Sequence, residues 1–319
     1  MRAILIALLT LLTLFSFDSN GTNGKQAQLK KSILITGTST GIGRNLAETL
    51  AKNGHHVYAG VRNDEDYAEL NAIDNITALK FDVTVQSQID AARKFVEEQG
   101  TGLYAIVNNA GIGNFGTVIN SDIADHKATY AVNVEGVYRV TKAFAPMVIE
   151  AKGRISTTGS IAGTITNSGM TAYSGSKHWI EAYTDGLAIE MKEHGVHVSV
   201  IQPGNYQSHI RRSSVLRTFE KIKASGGTIT PELEETLKQT TARELSYKQP
   251  DDVSAAYMHA LFDEKPLRRY VVTPNQQEQA FTISTKVRQL VELNQWGPNR
   301  YTRDQLVEML DKAIKASSN

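Results

Sequence analysis

Short β-branched runs alternate with helical patterns along most of this chain, and no other feature constrains its fold as strongly. Between the runs, apolar residues recur every three or four positions, as they do from Ile42 to Lys52. Strands that alternate with helices pair in parallel and are joined by right-handed crossovers. The sequence therefore predicts an α/β fold in which a doubly wound parallel sheet carries helices on both faces. The seven runs are SILIT (32–36), HVYAGV (56–61), ITALKFDV (76–83), LYAIVNN (103–109), RISTTGS (154–160), VHVSVIQ (196–202) and RYVVT (269–273).

The composition is that of a globular protein and removes several functional classes. Of the 319 residues, 41% are hydrophobic, which excludes a disordered chain. Lys and Arg number 34 against 33 Asp and Glu, and the net charge of +1 gives no argument for a nucleic-acid partner. Because the chain has no cysteine, a disulfide scaffold, a thiolate nucleophile and a cysteine-ligated metal are excluded. The eight histidines share no face with carboxylates at ligand spacing, so we expect no metal site.

Residues 1–24 differ from the rest of the chain and are predicted to form a hydrophobic segment and a linker. The stretch 3–17 carries no charge, and as a helix it would span about 22 Å, short of the roughly 30 Å of a membrane core. Its positive start and short apolar run also fit a secretory signal, although the cleavage pattern is poor. Three alternatives stay open: an uncleaved membrane anchor, a cleaved signal that leaves an exported protein, and a segment docked on the domain. We expect membrane association through 3–17 and a single domain over 25–319.

Residues 205–247 interrupt the alternation of strands and helices. They contain no clear strand, polar helical patterns and an SGGT turn at 225–228. In doubly wound sheets ligands bind beyond the carboxyl ends of the strands, so an insertion there is a candidate substrate lid. A surface excursion without a role in binding is the alternative. Nearer the C-terminus, apolar residues at helical spacing over 303–316 predict a helix docked on the domain.

The first β-branched run is followed by a glycine-rich turn, GTSTGIG, that opens a helix. Its glycines are Gly37, Gly41 and Gly43. Such a turn directs unpaired N–H groups and the positive end of the helix dipole at an anion, and glycine lets the backbone approach a pyrophosphate. The turn therefore predicts a dinucleotide site, although its glycine spacing differs from the commoner fingerprint. A tight turn without a ligand is the alternative.

The residues after the second run indicate which dinucleotide binds. An acid at the end of this strand would bond a ribose 2′-hydroxyl, whereas a cation would pair with a 2′-phosphate. Val61 stands where the acid would be, and Arg62 follows it. The sequence therefore favours NADP(H) over NAD(H). Two alternatives stay open: Arg62 is a solvated loop cation, or it pairs with the acids at 64–66.

Tyr173 and Lys177 begin a helical segment that runs to about His194, and their spacing of four places both on one helical face. A phenol with a pKa of about 10 is a poor acid–base group at neutral pH, and a nearby ammonium would lower that pKa. Ser160 ends another run, where the crevice of such a sheet opens. Asn133 lies among apolar residues of a helical pattern, where a buried amide needs partners. Together these residues predict a proton-transfer site.

These motifs together resemble the signature of the short-chain dehydrogenase/reductase family. In order they are T-G-x-x-x-G-I-G from Thr36, N-N-A-G from Asn108, an asparagine in the following helix, a serine thirteen residues before a tyrosine, Y-x-x-x-K, and P-G at 203–204. The resemblance covers about residues 31–208 and implies a Rossmann fold. Within the family, the YAGVR segment at 58–62 and the long stretch after P-G look most like hydroxysteroid and retinol dehydrogenases.

The resemblance implies a role for each residue of the predicted proton-transfer site. Tyr173 is the general acid/base, while Lys177 lowers the pKa of Tyr173 and bonds the nicotinamide ribose. Ser160 hydrogen-bonds the substrate oxygen, and Asn133 holds a water in the proton path to Lys177. The cofactor-binding residues that the resemblance implies are Gly37, Ser39, Gly41, Ile42, Gly43, Arg62, Asp82, Val83, Asn109, Ala110, Gly111, Tyr173, Lys177, Pro203, Gly204 and Ser208.

Two positions depart from the family pattern. Ser208 stands where Thr is usual and keeps the hydroxyl, whereas Tyr206 stands where a small aliphatic residue is commoner. The resemblance implies an oxidoreductase that transfers a hydride between NADP(H), or alternatively NAD(H), and a lipophilic carbonyl or secondary alcohol. It also implies a homo-oligomer. Two other functions stay open: a non-catalytic dinucleotide-binding regulator, and an epimerase or dehydratase on the same scaffold.

Overall fold

A computed structural model describes residues 30–317, and the chain from Lys31 onward forms one compact unit. Its centre is a seven-stranded sheet in the order β3-β2-β1-β4-β5-β6-β7, with every neighbouring pair parallel. All seven predicted strands are present, and the predicted fold class is confirmed. The strands are β1 (Ser32–Thr36), β2 (His56–Val61), β3 (Ile76–Lys80), β4 (Ala105–Asn108), β5 (Arg154–Thr158), β6 (His197–Pro203) and β7 (Arg269–Val272).

The helices follow the strands in the expected alternation. Two short segments are not α-helical: Ala131–Gly136 is a π-helix and Ile161–Gly163 is a 3₁₀-helix. The α-helices are α1 (Gly41–Lys52), α2 (Asp64–Asn71), α3 (Gln86–Glu98), α4 (Ile123–Tyr130), α5 (Val137–Glu150), α6 (Thr171–Lys192), α7 (Ile210–Ala224), α8 (Pro231–Leu245), α9 (Asp251–Phe262), α10 (Gln276–Leu293) and α11 (Arg303–Ser317).

Two apolar layers cover the sheet, one on each face. In β1, Ile33 and Ile35 are buried in the layer that contains Leu46 of α1, whereas Leu34 is buried in the layer that contains Phe144 of α5. Successive side chains of a strand point to opposite faces, so a strand buried on both faces reads as a continuous apolar run. This is why SILIT is apolar throughout its centre.

The site-forming edge of the sheet lies at the carboxyl ends of β1 and β4. These two strands are neighbours, with Ile35 of β1 opposite Val107 of β4. The chain winds outward from this pair in both directions, which makes it the topological switch point where doubly wound sheets bind ligands.

The insertion at 205–247 contains two helices, α7 and α8, as its polar helical patterns indicated. Its two ends are tied together, since Tyr206 pairs with Lys248 in an isolated parallel bridge and the Gln207 amide donates to the Lys248 carbonyl at 2.9 Å. No residue of α7 is buried. The insertion is therefore held at its base, while its first helix has exposed or half-buried side chains.

Two terminal predictions have different outcomes. The helix predicted over 303–316 is present as α11, but its docking was wrong, because none of its described residues is buried. The apolar stretch 3–17 and the linker to residue 24 lie outside the described residues. Within residues 30–317, no helix has both the length and the apolar character needed to span a membrane.

Candidate active site

A cleft of about 760 Å³ opens at the carboxyl edge of the sheet, and every predicted cofactor-binding residue lines it. Ser160 lines it as well, whereas Asn133 does not. The lining also includes residues of the insertion, namely His209, Ile210, Ser213 and Arg217. The sequence motifs therefore converge on one cavity although they come from the ends of six different strands.

The glycine-rich turn is shaped by close backbone approaches. Gly37 has a φ of +69°, and a Cβ there would lie 2.8 Å from the Ala110 Cα. A Cβ at Gly43 would lie 2.2 Å from the Gly37 carbonyl oxygen. At the start of α1, Thr40 makes no side-chain capping bond, so the first amides of the helix lack partners within the helix and from its cap. The turn thus presents unpaired donors to the cleft.

Asn109 holds this turn against the strand ends. Its Nδ2 donates to the carbonyls of Thr36 (3.0 Å) and Gly37 (2.9 Å), and its Oδ1 accepts from the Thr158 hydroxyl at 3.0 Å. One amide side chain therefore joins the ends of β1, β4 and β5. Asn109 lines the cleft as predicted, but its side-chain amide positions the turn.

Arg62 lies in the cleft with one ionic partner among the described residues. Its Nη1 is 3.7 Å from the Asp82 carboxylate, and its side chain is 72% exposed. It does not pair with the neighbouring acids; Asp64 bonds Lys80, and Asp66 bonds Asn63. The competing interpretation in which the acids at 64–66 neutralise Arg62 is therefore wrong.

Asp82 is held as a carboxylate by its surroundings. Burial alone would raise its pKa, but hydrogen bonds from the Thr84 hydroxyl (2.7 Å) and amide (2.8 Å), together with the charge of Arg62, leave that pKa below its ordinary value. Asp82 therefore stays ionised at neutral pH and can orient the Arg62 guanidinium at the rim of the cleft.

Tyr173 and Lys177 lie in the first two turns of α6 and share one face of that helix, as predicted. Both are buried, with 9% and 5% of their surface exposed. The Lys177 Nζ donates to the Thr158 carbonyl at 2.7 Å and lies 5.8 Å from the centre of the Tyr173 ring. The carboxyl end of β5 thus fixes the ammonium beside the phenol.

The protonation of this pair differs from the sequence-based expectation. Burial raises the pKa of Tyr173, while the neighbouring Ser160 hydroxyl and the charge of Arg211 act in the opposite direction. Burial lowers the pKa of Lys177 to about 8, with Glu181 opposing. The prediction that the pKa of Tyr173 lies below its ordinary value is therefore wrong. At pH 7 the phenol is neutral and the amine is mostly protonated, so Tyr173 is ready to donate a proton.

Ser160 lies between the cofactor cleft and a second cavity. It is the N-cap of the 3₁₀-helix, and its hydroxyl oxygen accepts from the Ala162 amide at 3.0 Å. Because the oxygen accepts this bond, the O–H proton stays available for another acceptor. Ser160 can therefore donate to an oxygen placed beside the Tyr173 hydroxyl.

Asn133 lies behind the cleft in the π-helix, with 1% of its surface exposed. Its Nδ2 donates to the Ile112 carbonyl and the Ser176 hydroxyl, both at 3.0 Å, and its Oδ1 accepts from the Ile112 amide at 2.9 Å. A Cβ at Gly111 would lie 3.4 Å from this Oδ1 and 3.8 Å from the Lys177 Nζ. The glycine thus keeps open the space between the two polar atoms, and the predicted role of Asn133 in holding a water there stays a prediction.

The segment after β6 closes the cleft from the other side. The Gly204 amide donates to the Val272 carbonyl at 2.7 Å, and a Cβ there would lie 2.4 Å from the Glu278 carboxylate. Tyr206 is buried and donates its hydroxyl to Asp252 at 2.9 Å, which anchors it to α9. The unusual tyrosine therefore fixes the base of the insertion and leaves Ser208 in the cleft lining.

A second cavity of about 130 Å³ adjoins the cleft, and Ser160 and Tyr173 line both. Its wall is partly apolar, with Ile161, Ile165 and Met170, and the insertion adds charged groups to it. Sequence reasoning missed these charged residues and Arg217, because the insertion carries no motif and nothing in its polar helical pattern says which side chains turn inward. The charged residues of the second cavity are Arg211 and Glu244.

The residues present fit a nicotinamide dinucleotide. The cleft has the volume of a ligand pocket, which is typically about 300–1,000 Å³, and runs from Arg62 and Asp82 to Tyr173 and Lys177. The unpaired amides at the start of α1 lie between these ends and suit a pyrophosphate. Within residues 30–317, no group of three or more His, Asp and Glu side chains could hold a metal ion.

Comparison with known proteins identifies the family. A family model described as short chain dehydrogenase matches residues 31–217. The chain belongs to the short-chain dehydrogenase family. It is 33% identical over 264 residues to the mitochondrial D-beta-hydroxybutyrate dehydrogenase of Bos taurus, covering 75% of this chain and 76% of that protein. It is 34% identical over 193 residues to estradiol 17-beta-dehydrogenase 2 of Mus musculus, covering 58% of this chain and 50% of that protein.

A solved structure shares the fold along almost its whole length. The short-chain dehydrogenase from Streptomyces avermitilis superimposes with a TM-score of 0.69 and 25% identity, covering 84% of this chain and 96% of that chain. Structures of this fold include complexes with NADP and with NAD. The chain is thus a short-chain oxidoreductase that transfers a hydride between a nicotinamide cofactor and an alcohol or carbonyl substrate.

Proposed function

We propose that this protein is an NADP(H)-dependent oxidoreductase that interconverts a carbonyl compound and the matching secondary alcohol. The observation that carries the proposal is the placement of Tyr173 and Ser160 in the linings of both the cofactor cleft and the second cavity. A substrate oxygen in the second cavity would meet two hydroxyl groups at the point where the two cavities join. When bound, the cofactor would supply or accept the hydride.

The chain's own residues would manage the proton. In reduction, Tyr173 donates its phenolic proton to the substrate oxygen, Ser160 donates a hydrogen bond to the same oxygen, and Lys177 replaces the proton on Tyr173. In oxidation, the proton travels the other way. The Thr158 carbonyl keeps the Lys177 ammonium in place throughout.

The preference for NADP(H) rests on two cations in the cleft lining. Arg62 follows β2, where Val61 replaces the acid that would bond a ribose 2′-hydroxyl. Arg217 approaches from the insertion, and burial together with the charge of Arg62 lowers its pKa. Because the two positive guanidinium groups repel each other, an anion bound between them is favoured, and a 2′-phosphate is such an anion.

The test is NADPH and NADH oxidation against a panel of ketones and aldehydes, by the unaltered protein and by Tyr173→Phe. We expect turnover that prefers NADPH and is lost in Tyr173→Phe. Equal turnover by both proteins would contradict the proposal. Tight NADPH binding with no turnover of any compound would indicate a regulator, and retention of the cofactor with no net NADPH change would indicate an epimerase or dehydratase.

We also propose that the insertion at 205–247 is a substrate lid. Ser208 and Ile210 line both cavities, and the bridge between Tyr206 and Lys248 gives the insertion a fixed base. Limited proteolysis tests this role. Cleavage within 205–247 is expected to slow when NADPH and a ketone are both present, and cleavage at the same rate would contradict it.

Membrane association through residues 3–17 is a separate proposal, supported by their uncharged apolar sequence. The full chain should sediment with membranes, and a chain lacking 3–17 should not. Recovery of a soluble mature protein that begins after residue 17 would instead indicate a cleaved signal and an exported protein.

We further propose a homo-oligomer. Tyr138 of α5 and Ile189 of α6 are 56% and 72% exposed, which leaves apolar surface on both long helices. Light scattering of the full chain in mild detergent should give a multiple of the 35.0 kDa chain mass. A monomer at micromolar concentration would contradict this assembly.

A further inference from the structure

Glu244 is a buried carboxylate in the last turn of α8, with 3% of its surface exposed. Its Oε1 accepts from two backbone amides at the start of α7, those of Arg211 at 2.7 Å and Arg212 at 3.3 Å. These amides have no partners inside their own helix, so Oε1 caps α7 from the neighbouring helix. One oxygen of the carboxylate is thereby accounted for.

The other oxygen is not. Oε2 is buried and has no hydrogen-bond partner among the residues from 30 to 317. Leaving a buried acceptor unpaired is costly, more so when the group is charged. Glu244 lines the second cavity, the same cavity that contains the hydroxyls of Ser160 and Tyr173. The unsatisfied oxygen therefore belongs to a group at the wall of the substrate cavity.

Capping alone does not explain this choice of residue. A helix start is usually capped by its own Ser, Thr, Asp or Asn, whose single oxygen suffices. Here a long carboxylate reaches across from α8, and its second oxygen is left over. Burial raises the pKa of Glu244 above its ordinary value, although the two capping amides and the charges of Arg211 and Arg212 oppose this rise.

The other groups that line the cavity limit the kind of substrate that it can bind. Arg211 stacks its guanidinium over Phe115, 5.0 Å from the ring centre, and the Phe115 ring lies 5.9 Å from that of Tyr173. Arg211 also places a positive charge in the wall of this cavity, so an anionic substrate is the competing possibility. Between these groups the wall is apolar, formed by Ile161, Ile165 and Met170.

We propose that Glu244 Oε2 accepts a hydrogen bond from a hydroxyl of the substrate, so that the enzyme acts on small hydroxylated carbonyl compounds. The reacting carbonyl lies at Tyr173, an apolar stretch of the substrate packs on the wall, and the hydroxyl reaches Glu244. The cavity of about 130 Å³ suits a small molecule. This substrate class rests on the function proposed above.

The test compares methyl ketones that differ only in their terminal group. The probes are 4-hydroxy-2-butanone, 2-butanone and acetoacetate, with their longer homologues, each measured as kcat and KM for NADPH oxidation. We expect the unaltered protein to prefer the hydroxyketone over the plain ketone by about tenfold or more in kcat/KM, chiefly through KM, because a hydrogen bond to a charged group is lost with the hydroxyl.

The decisive variant is Glu244→Gln. The glutamine side-chain oxygen can still accept from the Arg211 and Arg212 amides and cap α7. The reversed side chain would place its NH₂ group against these two N–H donors, so the NH₂ group takes the position of Oε2. A donor then replaces an acceptor at the wall of the cavity. We expect an unchanged melting temperature and a fall of about threefold to tenfold in the preference for hydroxyketone over plain ketone, because a hydrogen bond to a charged acceptor is replaced by one to a neutral amide. Glu234→Gln, on the exposed side of the same helix, should leave this ratio unchanged.

Each outcome bears on the proposal. An unchanged ratio in Glu244→Gln would mean that Glu244 only caps α7. A preference for acetoacetate that Arg211→Gln abolishes would mean that the cavity binds an anion. Either result would overturn this inference and leave the oxidoreductase function standing, whereas no oxidation of NADPH with any carbonyl would overturn both. If Glu244→Gln fails to fold, the ranking of the three ketones by the unaltered protein still decides.

Discussion

The cofactor cleft and the 205–247 insertion border one active site, yet different constraints fix their residues. In the cleft, the backbone fixes the residue type, because a Cβ at Gly37 or Gly43 would lie 2.8 or 2.2 Å from a neighbouring backbone atom. The Asn109 side chain ties three strand ends together. In the insertion, side chains such as Arg217 and Glu244 reach inward from helices with little buried surface. Backbone constraints leave motifs in a sequence, whereas inward-reaching side chains on exposed helices do not.

The largest difference between the two regions should appear in catalysis. Ser160→Ala is expected to reduce kcat by about 10²–10³-fold, the usual cost of removing one donor to a developing oxyanion. Ser213→Ala, in the insertion part of the cleft lining, should change kcat by less than about threefold, since its hydroxyl is not beside Tyr173. Steady-state ketone reduction with NADPH measures both.

Comparable losses in the two serine variants would mean that the insertion is as deeply involved in the chemistry as β5. Because Ser160 also caps the 3₁₀-helix, the melting temperature and the NADPH affinity of Ser160→Ala must be measured alongside.

The free energy of unfolding should also depend on where a glycine is replaced. Gly43→Ala is expected to lower the free energy of unfolding by about 1–3 kcal/mol, because the new methyl group would press on the Gly37 carbonyl and the Asn109 amide. Gly186→Ala, in the exposed interior of α6 with nothing within 4 Å of the added Cβ, should raise it by about 0.5–1 kcal/mol. Urea denaturation followed by circular dichroism measures both, and a neutral Gly43→Ala would contradict the tight turn.

Cofactor choice gives a smaller effect at the boundary between the regions. Arg62→Gln is expected to lower the ratio of kcat/KM for NADPH over NADH by about tenfold, since a charge-assisted bond to the 2′-phosphate is lost. Lys80→Gln removes a cation that bonds Asp64 outside the cleft lining and should leave the ratio unchanged. A constant ratio in Arg62→Gln would assign the NADP(H) preference elsewhere.

The smallest predicted effect is a pH dependence. Lys177 has a pKa of about 8 and must be protonated to resupply Tyr173, so the reduction rate should be level near pH 7, about half at pH 8, and lower above. Tyr173 stays neutral in this range because burial raises its pKa. An arginine keeps its proton throughout this pH range, so Lys177→Arg should lose most of the turnover instead of shifting the decline. A reduction rate that stays level from pH 7 to pH 9 in the unaltered protein would contradict this role of Lys177.

Most of the fold and of the cofactor cleft could be predicted from the sequence, for identifiable reasons. β1 and β2 have the predicted bounds because strands buried on both faces read as unbroken apolar runs. Ser160 was predicted because it ends a β-branched run, and Tyr173 because it stands four residues before Lys177 on one face of a helical segment. The predicted lowering of the Tyr173 pKa was wrong because the sequence pattern shows the charge of Lys177 but not the burial that raises this pKa.

The remaining features depend on packing that the pattern does not contain. The helix at 303–316 was predicted from its periodicity, but apolar spacing does not say what the face packs against, and none of the described residues of α11 is buried. Glu244 gave no signal because one glutamate among several in a polar helix has no periodic mark. Its role depends on where α7 begins.

The central claim is that Tyr173 supplies the proton to the substrate oxygen, while other residues of the cleft provide most of the contacts that hold the cofactor. Titration of Tyr173→Phe with NADPH, followed by ketone turnover on the same sample, tests it most directly. We predict a dissociation constant within about threefold of the unaltered protein and a loss of turnover of about 10²–10⁴-fold. Turnover that survives the loss of the phenol, or NADPH affinity that disappears with it, would contradict the account.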